Sequence, residues 1–159
     1  MSRVRSILFV CKANICRSPT AEAVLRALLA ERGGSAGVVV ESAGTHEFRP
    51  GAQPHALAIE AGRMRGYDLT GCTARQVRPS DFDRFDMILA MDKANIADLR
   101  RIAPTRCKQK IELLLDYGDR FCGEDVADPI GGDAKQFARM LEMVEDGCSG
   151  LAQLLVRAA

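Results

Sequence analysis

Four short stretches rich in aliphatic and β-branched residues punctuate the chain: SILFVC at 6–11, GVVVESA at 37–43, DMILAM at 86–91 and KIELLL at 110–115. The first and third are nearly unbroken apolar runs, the pattern of strands covered on both faces. Between the runs, apolar positions recur at helical spacing. Ala21, Val24, Leu25, Leu28 and Leu29 follow the i, i+3, i+4, i+7 period. Ser18 is placed to cap that helix, Pro19 suits its first position, and the run Arg32-Gly33-Gly34 ends it. Further helices are predicted at roughly 54–64, 92–102 and 134–156; the last carries Phe137, Met140, Leu141, Val144, Cys148 and Leu151 at a helical period. Met140 and Met143 read as core filler. Alternation of strands and helices, without repeats or low-complexity tracts, predicts an α/β fold with a mostly parallel sheet flanked by helices on both faces. Such sheets bind ligands at the carboxyl ends of their strands, and Cys11 stands at that end of the first.

Composition narrows the picture. The 159 residues suit one domain, 1–159, with a real core, and 47% hydrophobic with 27% charged residues is ordinary for a soluble protein. A net charge of +1 gives no electrostatic footprint for nucleic acid or a membrane surface, so any anion must be held locally. No run is long enough to span a bilayer. Lys12 interrupts the apolar run Ile7 to Cys11, leaving it too short for a signal-peptide core. A cytoplasmic location follows as an expectation, and with it six reduced cysteines rather than a disulfide framework. The chain has no Cys-x-x-Cys pair and only two histidines, His46 and His55, which argues against zinc. Neither a metal nor a cofactor is expected.

The junction between the first strand and first helix reads CKANICRS, from Cys11 to Ser18. The spacing Cys-x5-Arg is weak alone, since a chain of this composition contains about 0.6 such matches by chance. A second match, CTARQVR from Cys72 to Arg78, follows no strand and reads as coincidence. At the first, unpaired amides and the helix dipole favour an anion, and the same field favours thiolate over thiol. Arg17 offers a planar charged fork suited to phosphoryl oxygens. A nucleophile and an oxyanion clamp would then converge on one phosphorus. A buried structural cysteine beside a surface arginine has the same spacing; the strand-loop-helix setting is what argues for chemistry. A nucleotide-binding loop is disfavoured, for the stretch holds no glycine and no Gly-Lys-Ser/Thr ending. A proton donor for a phenolate leaving group has to come from another loop: Asp92, Asp116, Asp119, Asp125 and Asp128 are candidates, and topology does not choose among them.

The stretch VCKANICRSPTAE resembles the signature of the low-molecular-weight protein tyrosine phosphatases, Val-Cys-x-x-Asn-x-Cys-Arg-Ser-Pro. ESAGT (41–45), TARQV (73–77), FDMILAMDKAN (85–95) and VADP (126–129) follow in the family's order and approximate spacing, so the resemblance covers nearly the whole chain. It implies a three-layer sandwich around a four-stranded parallel sheet, with a strand-loop-helix phosphate-binding loop. It implies hydrolysis of phosphotyrosine monoesters through a cysteinyl-phosphate. Cys11 would be the nucleophile. The backbone amides of Lys12, Ala13, Asn14, Ile15, Cys16 and Arg17, with the Arg17 guanidinium, would hold the transferred group. Ser18 resembles the hydroxyl that donates to the Cys11 sulfur, and Asn14 the loop asparagine in a left-handed conformation, with Ser42 as a partner. Asp128, before Pro129, matches the family's acid and base. Asp92 would cap its helix or orient loop groups. Phe48 could face the substrate ring, and Cys16 could form a reversible disulfide with the nucleophile. Expected partners are phosphotyrosine-containing proteins and a cognate tyrosine kinase, with the protein a monomer or weak dimer.

Several positions depart from the family pattern. Ala13 stands where glycine is common, and Cys72 where animal members carry a histidine. Ile130 and Gly131 replace tyrosines that often follow the Asp-Pro pair, which thins the aromatic wall and rules out regulation by phosphorylation there. Three rival readings share parts of this pattern. Protein arginine phosphatases resemble a loop with threonine where Ile15 stands. Arsenate reductases of this fold need two further cysteines close together, whereas Cys72 and Cys107 lie 35 residues apart. A non-catalytic phosphate-binding module does not call for Cys11, Arg17, Ser18 and Asp128 together.

Overall fold

The computed structural model describes residues 3–33 and 37–157. Gly34, assigned above to the end of the first helix, lies outside the described residues. Strand β1 (Ser6–Cys11) leads into α1 (Arg17–Glu31), then β2 (Val39–Gly44), α2 (Ala56–Met64), a single-turn α3 (Asp81–Arg84), β3 (Met87–Ala90), α4 (Lys93–Ile102), β4 (Ile111–Leu113) and the long α5 (Ala134–Arg157). The four strands form one parallel sheet in the order β2-β1-β3-β4.

The unbroken apolar run of β1 is explained by its central place. Ile7 and Phe9 enter the core shared with α1 and α5, through Val24, Leu25, Phe137 and Val144. Leu8 and Val10 enter the opposite core with Phe82, Phe85, Ile88 and Leu99. Both faces of the sheet are covered, giving three layers. Because β2 and β3 lie on opposite sides of β1, the chain reverses direction across the sheet there. The carboxyl ends of β1 and β3 border the crevice where such folds take ligands. Among the described residues, no helix is long and apolar enough to cross a membrane.

Three local expectations need correction. The stretch 110–115 is not all strand: pairing stops at Leu113, and Leu114–Tyr117 turn into a 3-10 helix. Leu114 and Leu115 are buried as the apolar run requires, and burial alone does not tell strand from turn. The second strand begins at Val39 rather than Gly37. Helix α1 starts at Arg17, with Cys16 at the N-cap position and no side-chain cap. Ser18 therefore lies inside the first turn and does not cap it; its hydroxyl is engaged elsewhere. Pro19 also falls in the first turn, where no backbone N–H is required. Helix α3 was not predicted, its four residues being too few to show a period.

Candidate active site

The loop from Cys11 to Arg17 leaves β1 at the sheet's carboxyl edge and is fastened from behind by its carbonyls. Thr45 N donates to Cys11 O (2.8 Å), His46 N to Lys12 O (3.0 Å) and His55 N to Ile15 O (2.8 Å). Gly44 permits this approach: a Cβ there would lie 2.7 Å from Lys12 O. Among the described residues, the N–H groups of 12–17 donate to no backbone acceptor, so they remain for an anion.

Within the loop Asn14 is the organising side chain. It is the one non-glycine residue with positive φ among the described residues (59°), a conformation asparagine tolerates better than most. Its Nδ2 donates to Ser18 Oγ (2.8 Å) and to Ser42 Oγ (3.0 Å), and its Oδ1 accepts from Arg75 N (3.0 Å). Ser42 Oγ in turn donates to Glu22 Oε1 (2.6 Å), and Glu22 pairs with Arg26 (2.6 Å). Because Ser18 Oγ already accepts from Asn14, its own proton is free for Cys11 Sγ at 3.0 Å; Ala43 O, at 3.4 Å, is the longer alternative. Cys11 is itself buried.

Arg17, 3% exposed, is divided between anchoring and the cleft. Its NH1 donates to Asp92 Oδ2 (2.6 Å) and to Val126 O (3.0 Å), while NH2 lies 3.6 Å from Asp128 Oδ2. Burial works against its charge, but Cys11, Asp92 and Asp128 outweigh that and raise its pKa further. Asp92 fills both roles expected of it. It holds Arg17 and it caps α4, accepting from Asn95 N (2.7 Å) in a reciprocal capping box. Val126, whose N donates to Met91 O (2.8 Å), fixes the chain just before Asp128 against the end of β3.

These groups border a cleft of about 260 Å³, with Cys11, Cys16 and Arg17 deep in it, Lys12, Ala13 and Ile15 from the loop, and Phe48, Asp128 and Ile130 at the mouth. Phe48 and Ile130 are among the few large apolar side chains left half exposed. Of the carboxylates considered from sequence, Asp92 and Asp128 meet Arg17. Asp125 instead accepts from Lys93 N (3.1 Å), and neither Asp116 nor Asp119 lines the cleft. Burial, aided by Cys11 and Asp128 and opposed by Arg17, pushes the Cys16 thiol up to about 12. Cys72 does not reach Asn14; its thiol, pushed up to about 12 by burial and by Glu22, faces Pro19 O at 3.8 Å.

Sequence reasoning did not single out Glu22, Arg75 or the Val126 carbonyl. For Glu22 the need for a partner shows only in the structure, where its neighbours from Arg17 to Leu25 are all buried and Ser42 and Arg26 meet its carboxylate. The Val126 carbonyl is a backbone contact made across 109 residues, and no side-chain pattern announces it.

A strand-loop-helix cradle with a sulfur beneath free amides and a guanidinium at its edge defines a phosphoryl-binding α/β protein of the thiol-dependent class. The family model for the low molecular weight phosphotyrosine protein phosphatases matches residues 6–159. The low molecular weight protein-tyrosine-phosphatase YfkJ of Bacillus subtilis is 40% identical over 146 residues, 92% of each chain. The corresponding Streptomyces coelicolor protein is 42% identical over 151 residues, covering 91% of this chain and 90% of its own. A crystal structure of a protein tyrosine phosphatase from Entamoeba histolytica superposes with a TM-score of 0.91 at 36% identity and 97% coverage of both chains. The chain belongs to the low molecular weight protein-tyrosine-phosphatase family, whose members are cysteine-dependent phosphoric monoester hydrolases.

Proposed function

We propose that residues 1–159 act as one catalytic domain that hydrolyses phosphotyrosine in phosphoproteins, in two phosphoryl transfers. The observation that carries this reading is the line Asn14–Ser18–Cys11, which aims a hydroxyl proton at the sulfur at 3.0 Å beside the Arg17 fork. In the first transfer the Cys11 thiolate attacks phosphorus, the bond to the aryl oxygen breaks, and Asp128 gives its proton to the departing phenolate. Arg17 and the loop amides hold the non-bridging oxygens throughout. In the second, water attacks the cysteinyl-phosphate, Asp128 takes a proton from it, and the S–P bond breaks. Ser18 donates to the sulfur as it leaves. Inorganic phosphate is the product, and nothing in this scheme calls for a metal or cofactor.

Phe48 and Ile130 bracket the substrate ring, one aromatic wall and one aliphatic. Ile15 and these walls favour a phenolic ester over phosphoarginine. The substrates would be made by a tyrosine kinase sharing the compartment, which we take to be the cytoplasm. A Cys11–Cys16 disulfide has in its favour that both thiols line one cleft; against its speed, the high Cys16 pKa leaves little attacking thiolate at neutral pH.

Replacing Cys11 with serine tests the reading. With phosphotyrosine, phosphoarginine and arsenate offered to one preparation, the unaltered protein should turn over phosphotyrosine. Cys11→Ser should abolish that turnover while still binding a phosphate analogue. Retained turnover in Cys11→Ser would remove Cys11 from the nucleophile's role.

A further inference from the structure

Asn14 depends on a backbone N–H that belongs to none of the elements forming the cradle. That N–H, of Arg75, lies in the segment between α2 and α3, which is not part of a named strand and has only one isolated bridge to the sheet, Gln76 opposite Gly44. Gly44 N donates to Arg75 O and Val77 N to Gly44 O, both at 2.8 Å, and Gln76 Nε2 reaches Thr45 O at 3.2 Å. Those bonds fix the segment along its length. Arg75 is held at its own carbonyl by Gly44 N and a second time through its side chain. NH1 meets Asp81 Oδ2 at 2.9 Å and NH2 meets Asp81 Oδ1 at 3.1 Å, a two-point pairing that restricts both position and tilt. Asp81 is 1% exposed, and it also accepts from Arg78 N at 2.7 Å, closing a tight turn. Glu41, on the solvent side, contributes a longer contact of 3.5 Å and is shared with Arg84.

We propose that Arg75 and Asp81 form a positioning clamp for the phosphate loop: the pair sets the Arg75 N–H, the N–H holds Asn14 Oδ1, and Asn14 holds Ser18 in line with Cys11. The two residues do not line the cleft, so they act on it indirectly, and Asn14 is the loop side chain that Arg75 bonds. A buried, doubly bonded carboxylate at the start of a one-turn helix has no packing purpose that an apolar residue would not serve at lower desolvation cost. Its geometry is accounted for if the fold needs a directional fastening at this point. Asn14 sits at a positive φ that it shares with no other non-glycine residue among the described ones, and the Arg75 bond is the one its Oδ1 makes. Loosening the clamp therefore lets Asn14 relax, and both Ser18 and the loop amides lose their aim at the anion.

The inference rests on the phosphatase reading, and its test separates the two. Aryl-phosphate turnover and the inhibition constant of inorganic phosphate are measured for the unaltered protein and for Arg75→Met, Asp81→Asn and Arg75→Lys, with circular dichroism melts on each. Arg75→Met and Asp81→Asn should weaken phosphate inhibition and lower kcat, each on the order of tenfold or more, at temperatures where the variants remain folded. Arg75→Lys, which keeps the charge but makes one bond at a time, should recover part of both. Phosphate inhibition and kcat unchanged in folded variants would overturn the clamp, as would a loss of melting temperature with neither constant moved. Should Asp81→Asn not fold, Arg75→Met decides, since it leaves the carboxylate able to bond Arg78 N. No turnover by the unaltered protein would instead overturn the phosphatase reading.

Discussion

Asp128 stands on the rim of the cleft with one oxygen 3.6 Å from Arg17 NH2 and the other accepting from Ile130 N at 3.2 Å. The carboxyl lines the cleft that also holds Cys11 and Arg17, and in the proposed acid role its proton matters most when the leaving group is a poor one. Asp128→Ala should slow a phenol of pKa about 10 by roughly a hundredfold or more, and a strongly acidic phenol far less. Steady-state rates across a series of aryl phosphates give the slope; equal slowing throughout would take the role from Asp128. Cys11, Arg17 and Ser18 were legible in the sequence because they sit in eight consecutive residues whose setting could be read locally. The choice of Asp128 over four other aspartates rested on the family pattern, and the structure narrows the five to Asp92 and Asp128, which both meet Arg17. Glu22 and Arg75 were missed because their importance lies in contacts across 20 and 61 residues, made by a side chain in one case and a backbone N–H in the other. Ser18 shows the converse error: local signals favour a helix cap, and a stronger demand from the sulfur and Asn14 takes its hydroxyl.

Helix α5 meets the 3-10 turn at Leu114–Tyr117 through two glycines. A Cβ on Gly150 would lie 1.8 Å from Tyr117 O, and one on Gly147 would lie 2.7 Å from Leu114 Cγ. Neither glycine has positive φ; both are there for closeness, and at Gly150 the atom met is backbone rather than a side chain that could turn aside. Gly150→Ala should destabilise the protein by about 1–3 kcal/mol, read as a lower denaturation midpoint. The folded fraction should keep its kcat/KM, because the contact lies away from the cleft. The helix itself was readable from its period, which spans many turns. The strand that runs into this turn was not bounded correctly, since six apolar-leaning residues carry no mark where pairing ends.

For the molecule as a whole, buried thiols and phenols set a limit on the alkaline side. Burial raises the pKa of Cys16 and Cys72 to about 12 from an ordinary 9.0. Cys148, and the Tyr67 and Tyr117 hydroxyls donating to Glu145 and Glu112, are raised as well. The folded chain therefore keeps protons that the unfolded chain would give up. The stabilisation is present in full below pH 9 and is lost progressively as pH climbs towards 12. Melting temperature should fall steadily across that interval; a flat profile there would contradict the burial of these groups. The α/β class and the parallel sheet were legible from alternation alone, whereas the strand order β2-β1-β3-β4 was not, since it is fixed by which helix covers which face. The bonds at Val126, to Met91 O on one side and from Arg17 on the other, carry a last consequence. They tie the segment that carries Asp128 to the end of β3 and to the guanidinium at once, so the carboxylate and the fork keep a common frame. On the proposed reading, selection would then fall to reach: a phosphoryl group on a long flat stem would touch the floor between Phe48 and Ile130, and one on a short stem would be left standing at the threshold.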